Sequence, residues 1–210
     1  MKFRPTLLAL GLGAIAIAMS AGATAEGNVE NGKTLAYTCH GCHGIPNYRN
    51  AWPSFTVPRL GNQSLKYISV ALAEYASGER SHPTMRSQAV SLSAQDREDI
   101  AAFLHAEGAN PEADVIGTPP PATQTCVQCH GANGAKPLSD DYPVLAGQYA
   151  NYLVHALKDY KSGKRKNPIM AGIIAGVDEK DFDALAQFFA QQKGLCGTEE
   201  IRKHGKCSQK

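Results

Sequence analysis

Two short runs of the sequence carry sulfur and imidazole at a spacing that serves one kind of chemistry. Cys39-His40-Gly41-Cys42-His43 and Cys126-Val127-Gln128-Cys129-His130 each set two thiols three positions apart, with a histidine directly after the second. Sulfurs at this spacing can form thioethers with the two vinyl groups on one edge of a porphyrin, and the following histidine can then reach the iron from the proximal side. A lone Cys-x-x-Cys also serves zinc or dithiol redox chemistry, but zinc needs further thiol or imidazole ligands at regular spacing. Here the adjacent histidine recurs at equivalent places. The expected cofactors are two covalently bound c-type haems, attached through Cys39 and Cys42 and through Cys126 and Cys129, with His43 and His130 as iron ligands.

The sixth ligand follows from a count. The chain has four methionines; Met1 and Met19 lie in the N-terminal segment, leaving Met85 and Met170, 42 and 40 residues after the two proximal histidines. Each stands two residues after a proline. A lone methionine is usually core filler, whereas two survivors at repeat-equivalent positions are expected to be ligands. His/Met ligation raises the reduction potential relative to two histidines and fills the coordination sphere, which favours electron transfer over binding of oxygen or peroxide. Other imidazoles have weaker claims: His40 is expected at the surface or a haem edge, and His82 and His155, facing Asn167 and Val70 in the other copy, are expected to be exposed or packed. Pro58 and Pro143 follow the proximal histidines by 15 and 13 residues. Each is either a carbonyl acceptor for the other imidazole N–H or a simple loop proline, and spacing alone does not choose.

The elements that must position these groups are written twice. With an offset of 85, Pro58, Leu60, Gln63, Tyr67, Ala71, Leu72, Tyr75, Gly78, Arg80, Pro83 and Met85 fall on Pro143, Leu145, Gln148, Tyr152, Ala156, Leu157, Tyr160, Gly163, Arg165, Pro168 and Met170, the mark of a duplicated unit. Apolar spacing predicts helices over 63–77 and 148–162, each stopped by a glycine, and over 93–107 and 178–192 with Ser93 and Asp178 as N-caps. An opening helix over 28–38 precedes the first motif; Pro119 to Pro121 sit where its counterpart would be. No alternating stretch long enough for a sheet occurs, so the expected class is all-α, two tandem domains related by internal duplication. Residues 26–110 form the first and 123–195 the second, with a proline-rich linker over 111–122 and a tail over 196–210 whose Cys196 and Cys207 are expected to form a disulfide.

Residues 1–25 have a basic head, an apolar run and Ala23-Thr24-Ala25, the pattern of a cleaved secretory signal peptide; a retained anchor is the rival reading. Removing Lys2 and Arg4 leaves 19 basic and 19 acidic residues, a zero balance that argues against a nucleic-acid partner.

Taken together, the two Cys-x-x-Cys-His motifs, Pro-x-Leu running into Gln-x-x-x-Tyr, then Tyr-x-x-Gly-x-Arg and a later methionine resemble the cytochrome c4 family of two-domain dihaem cytochromes. The resemblance implies two class I cytochrome c folds about a pseudo-twofold, Pro58 and Pro143 as acceptors for the proximal histidines, and ligand pairs His43/Met85 and His130/Met170. It implies a periplasmic one-electron carrier, not an enzyme, between a quinol-oxidising complex and a terminal oxidase or reductase, meeting membranes through its partners. The dihaem subunit of flavocytochrome c sulfide dehydrogenase is a weaker likeness, and an electron-transfer subunit of such a dehydrogenase is the alternative. A haem enzyme or sensor with an open iron is a third reading. The basic run Lys158, Lys161, Lys164, Arg165 and Lys166 either guides docking or is the wet face of a helix.

Overall fold

The computed structural model describes residues 26–52, 54–105 and 114–208; the signal-peptide expectation and linker residues 111–113 lie outside them. Among the described residues there are helices and three isolated antiparallel bridges, with no sheet. No helix among them is long and apolar enough to cross a membrane.

In the first half, α1 (Val29–Leu35) starts where the Asn28 side chain accepts from the Asn31 N–H, 3.0 Å. A 3-10 turn (Ala36–Cys39) leads directly into α2 (His40–His43), so the first motif closes the opening helical stretch. Next, α3 (Leu65–Ser77) stops at Gly78, whose φ of 87° is the left-handed conformation that glycine takes most easily. After α4 (Pro83–Ala89) comes α5 (Ala94–Leu104), opened by a capping box between Ser93 and Asp96. The bond from the Asn28 N–H to Asp99 Oδ1 (2.8 Å) and the side-chain contact of Asn31 with the same carboxylate pin α1 to α5. Ile68, Ile100, Phe103 and Leu104 form the core between α3 and α5.

The second half repeats this plan with one substitution. A 3-10 turn (Pro121–Thr123) runs into α6 (Gln124–His130), followed by α7 (Ala150–Lys161), α8 (Pro168–Ala175) and α9 (Phe182–Ala190). The opening helix is missing, as the prolines predict. In its place the Ile116 backbone donates to Gln192 Oε1 (2.9 Å) and accepts from the Gln191 and Gln192 side-chain amides (both 2.8 Å), so an extended segment lies against the end of α9. The expected helix from 178 begins as a 3-10 turn (Glu179–Asp181), in which the Lys180 N–H donates to the Asp178 side chain (3.1 Å).

A seam joins the halves with twofold logic. Gln63 Nε2 donates to Val144 O (3.0 Å) and its Oε1 accepts from Val144 N–H (2.7 Å); Gln148 does the same to Arg59 O (3.0 Å) and Arg59 N–H (2.9 Å). Positions 59 and 144 are repeat-equivalent, as are 63 and 148. Arg80 and Arg165 meet in an antiparallel bridge. The tail then carries α10 (Thr198–His204) and the disulfide Cys196–Cys207, Cα to Cα 5.5 Å.

Candidate functional site

His43 and His130 are the last residues of α2 and α6. Nδ1 of His43 lies 2.7 Å from the Pro58 carbonyl, and Nδ1 of His130 lies 2.9 Å from the Pro143 carbonyl. A carbonyl only accepts, so Nδ1 carries the hydrogen in both rings and the neutral imidazole keeps its lone pair on Nε2. Burial lowers both pKa values, against the opposing effect of the proline carbonyls. The two prolines are therefore acceptors. Each ring is held in the tautomer and protonation state that ligates a metal.

The four motif cysteines take no part in a disulfide and are half-buried. Burial pushes the Cys39 and Cys126 thiols above their ordinary value, which keeps them protonated until they react. All four line one cavity of about 680 Å³ together with His43, His130, Met85 and Met170, so the structure brings every predicted site residue to a common space.

The methionines reach that space on helices that sequence periodicity does not reveal. Pro83 and Pro168 occupy the first turns of α4 and α8, where a missing N–H costs nothing. Ahead of them, His82 Nδ1 accepts from Met85 N–H (3.2 Å) and Asn167 Oδ1 accepts from Met170 N–H (3.0 Å). Histidine and asparagine interchange here because each offers one acceptor to the helix N-terminus. His82 thus serves as a helix cap. His155 stacks on Phe55, centroids 4.2 Å apart, and lies 3.2 Å from Asp159. His40 is half-buried and clasped by the tail, Nδ1 2.8 Å from Thr198 Oγ1, with its ring edge-on to Phe103.

Sequence reasoning missed the role of Arg80 and Arg165. Both are 6 % exposed and both line the cavity. Arg165 donates to Tyr152 Oη (3.1 Å), and Arg80 pairs with Glu74 (2.7 Å) and lies over the Tyr75 ring. Burial opposes the Arg80 charge, yet the nearby Tyr67 and Tyr75 hydroxyls favour it and its pKa stays above the ordinary value. Among the described residues Arg80 Nε has no hydrogen-bond partner. Repetition of the Tyr-x-x-Gly-x-Arg pattern was the signal. Arg165 consequently leaves the basic run, and Lys161 is committed to Val177 O (2.7 Å); Lys158, Lys164 and Lys166 remain exposed.

The cytochrome c family pattern matches residues 122–193. Cytochrome c4 of Stutzerimonas stutzeri is 30% identical over 191 residues, covering 79% of this chain and 90% of that one. A thiosulfate dehydrogenase electron acceptor of Stutzerimonas stutzeri (strain A1501) is 32% identical over 174 residues, covering 74% and 79%. Among solved structures, reduced recombinant cytochrome c4 from Pseudomonas stutzeri superposes with a TM-score of 0.62 at 26% identity, over 80% of this chain and all of that one.

Proposed function

The chain belongs to the cytochrome c4 family, electron-transfer proteins and not enzymes, with two covalently bound haem c groups, and from that premise we propose how its own residues hold and use them. Cys39 and Cys42 attach the first haem and Cys126 and Cys129 the second; His43 and Met85 ligate one iron, His130 and Met170 the other. The observation that carries this is the repeated bond from imidazole Nδ1 to a proline carbonyl, which leaves a bare Nε2 beside two thiols in a cavity that a capped methionine helix also lines.

The residues fit the group in a second respect. Arg80 and Arg165 are buried cations on abutting backbone, with Glu74 paired to the first and Asp159 turned towards His155. The Arg165 guanidinium, which bonds the neutral Tyr152 hydroxyl, and Arg80 Nε, without a partner among the described residues, suit the carboxylate side chains of a porphyrin. When bound, each haem supplies a one-electron couple. With the haems bound, the proline carbonyls would hold the two imidazoles and the His82 and Asn167 caps would hold the helices that carry the two methionines, so these residues need not move as the couple turns over.

We place the first haem domain at 26–110, the linker at 111–122, the second domain at 123–195 and the tail at 196–210. Residues 1–25 direct export, and the mature protein works in the periplasm, taking electrons from a quinol-oxidising complex and passing them to a terminal oxidase or reductase. The likeness to a thiosulfate dehydrogenase electron acceptor supports a second reading, in which a sulfur-oxidising dehydrogenase is the donor.

The test is expression with working haem-ligation machinery. Two haems per chain, a low-spin ferric spectrum and a sulfur-to-iron charge-transfer band that Met85→Ala and Met170→Ala each halve are expected. A colourless product, or a band indifferent to either substitution, refutes the ligand set.

A further inference from the structure

We propose that the disulfide-closed tail, though it follows the second copy in sequence, is a positioning element for the proximal histidine of the first haem. This rests on the reading of His43 as an iron ligand. The tail touches both parts of the chain that restrain that ring. On one side is the motif itself: Thr198, fully buried, bonds His40 within the first motif, and Gly197 lies beside the carbonyl of His43, which a Cβ there would meet in ordinary contact at 3.6 Å.

On the other side is the acceptor loop. Gly61 lies three residues after Pro58, and it exchanges two backbone bonds with Cys196, N–H to carbonyl at 3.0 Å and carbonyl to N–H at 3.1 Å. A Cβ on Gly61 would fall 2.7 Å from Cys196 Sγ and 2.7 Å from Ile201, so the loop backbone is pressed directly onto the disulfide. Cys196, Ile201 and Cys207 are buried in the same core cluster as Ile68, Ile100, Phe103 and Leu104 of the first half.

The attachment is lopsided. Leu195 N–H donates to Ala146 O (2.8 Å), and Ala146 is the repeat equivalent of Gly61. Consecutive residues 195 and 196 thus strap the two acceptor loops together, but the disulfide ring and α10 beyond them lie on the first copy. Removing the ring loosens the Pro58 carbonyl and the His40 anchor while leaving the Pro143 loop its own bond to Leu195. A proximal imidazole whose N–H bond weakens becomes a poorer donor to iron, so the first haem's potential moves and the second's does not.

The experiment uses the full-length holoprotein. Potentials of the two haems are resolved in a redox titration followed by NMR of the ligand methionine methyl groups, assigned with Met85→Ala and Met170→Ala. The variants are Cys196→Ala/Cys207→Ala and Thr198→Val, with Thr198→Ser as the conservative control. Loss of hydrogen-bond restraint is expected to change the equilibrium constant for electron exchange between the haems by about threefold or more, with the whole change at the first haem and parent behaviour restored in Thr198→Ser. Equal shifts at both haems, or none in either folded variant, overturn the proposal. If the double variant does not fold, the Thr198 pair decides alone. His43→Ala separates the two readings: unchanged first-haem ligation in that variant refutes the ligand assignment itself, whereas a sensitive His43 with insensitive tail variants refutes only the tail's role.

Discussion

Replacing Gln63 with leucine removes one strand of the seam with little change of shape. Gln63 is 4 % exposed and Val144, whose backbone it reads, is 2 % exposed. Leucine can neither donate to Val144 O nor accept from the N–H groups of Val144 and Ser64, bonds of 3.0, 2.7 and 2.8 Å. A buried polar group left without a partner costs about 1–3 kcal/mol. Three such groups, allowing for some relaxation, set the loss at about 3–5 kcal/mol. Gln148→Leu strips the equivalent bonds to Arg59 and Tyr149, but these residues are only half-buried, so water replaces part of what is lost and about 1–2 kcal/mol is expected. With an m-value of about 2 kcal/mol per molar urea, the midpoint falls by roughly 1.5–2.5 M for Gln63→Leu and by under about 1 M for Gln148→Leu. Far-UV circular dichroism and haem absorbance, followed together on the holoprotein, measure both. A Gln148→Leu loss equal to or greater than that of Gln63→Leu would refute the reasoning, because the difference comes from burial alone.

Gly32→Ala should destabilise by about 1–3 kcal/mol, since its Cβ would stand 1.8 Å from the Asp99 carbonyl oxygen and 2.9 Å from Phe103 Cβ where α1 crosses α5; Gly172→Ala in α8, with open space around it, should be neutral or slightly stabilising, and thermal melts compare the two. The Asp99 carboxyl is held below its ordinary pKa by the Asn28 N–H first, then by Asn31 and Gln95. Because its folded value is the lower one, its stabilisation is complete above about pH 4 and fades as pH falls through the folded value. Hydrogen exchange should show α1 loosening in that window, and Asp99→Asn should remove the acid dependence; an unchanged profile in the variant would exclude Asp99 as its source.

Local signals were legible where the chemistry is local. The glycine stops at Gly78 and Gly163, the Ser93 cap and the two motifs lie in the structure where their residues predict them. The helices α4 and α8 were not read, because seven and eight residues are too short for an apolar stripe to repeat. Their signal was an acceptor side chain directly before proline, at His82-Pro83 and Asn167-Pro168. The contact of His40 with Thr198 was not legible because the two lie 158 residues apart, and no spacing rule reaches so far. Arg80 and Arg165 were visible as repeat matches, but only their burial at the seam shows what their charge is for.

Each seam glutamine addresses main-chain atoms, and this frees the side chains at the positions it reads. Position 59 carries an arginine that donates to Gly147 O (2.6 Å) and lies 4.5 Å over the Tyr149 ring, while position 144 carries a buried valine. A tandem copy docked through its backbone can drift in sequence without coming apart. Two centres born identical could in this way acquire different surroundings, and a direction for electrons between them, while the joint that holds them stayed the same.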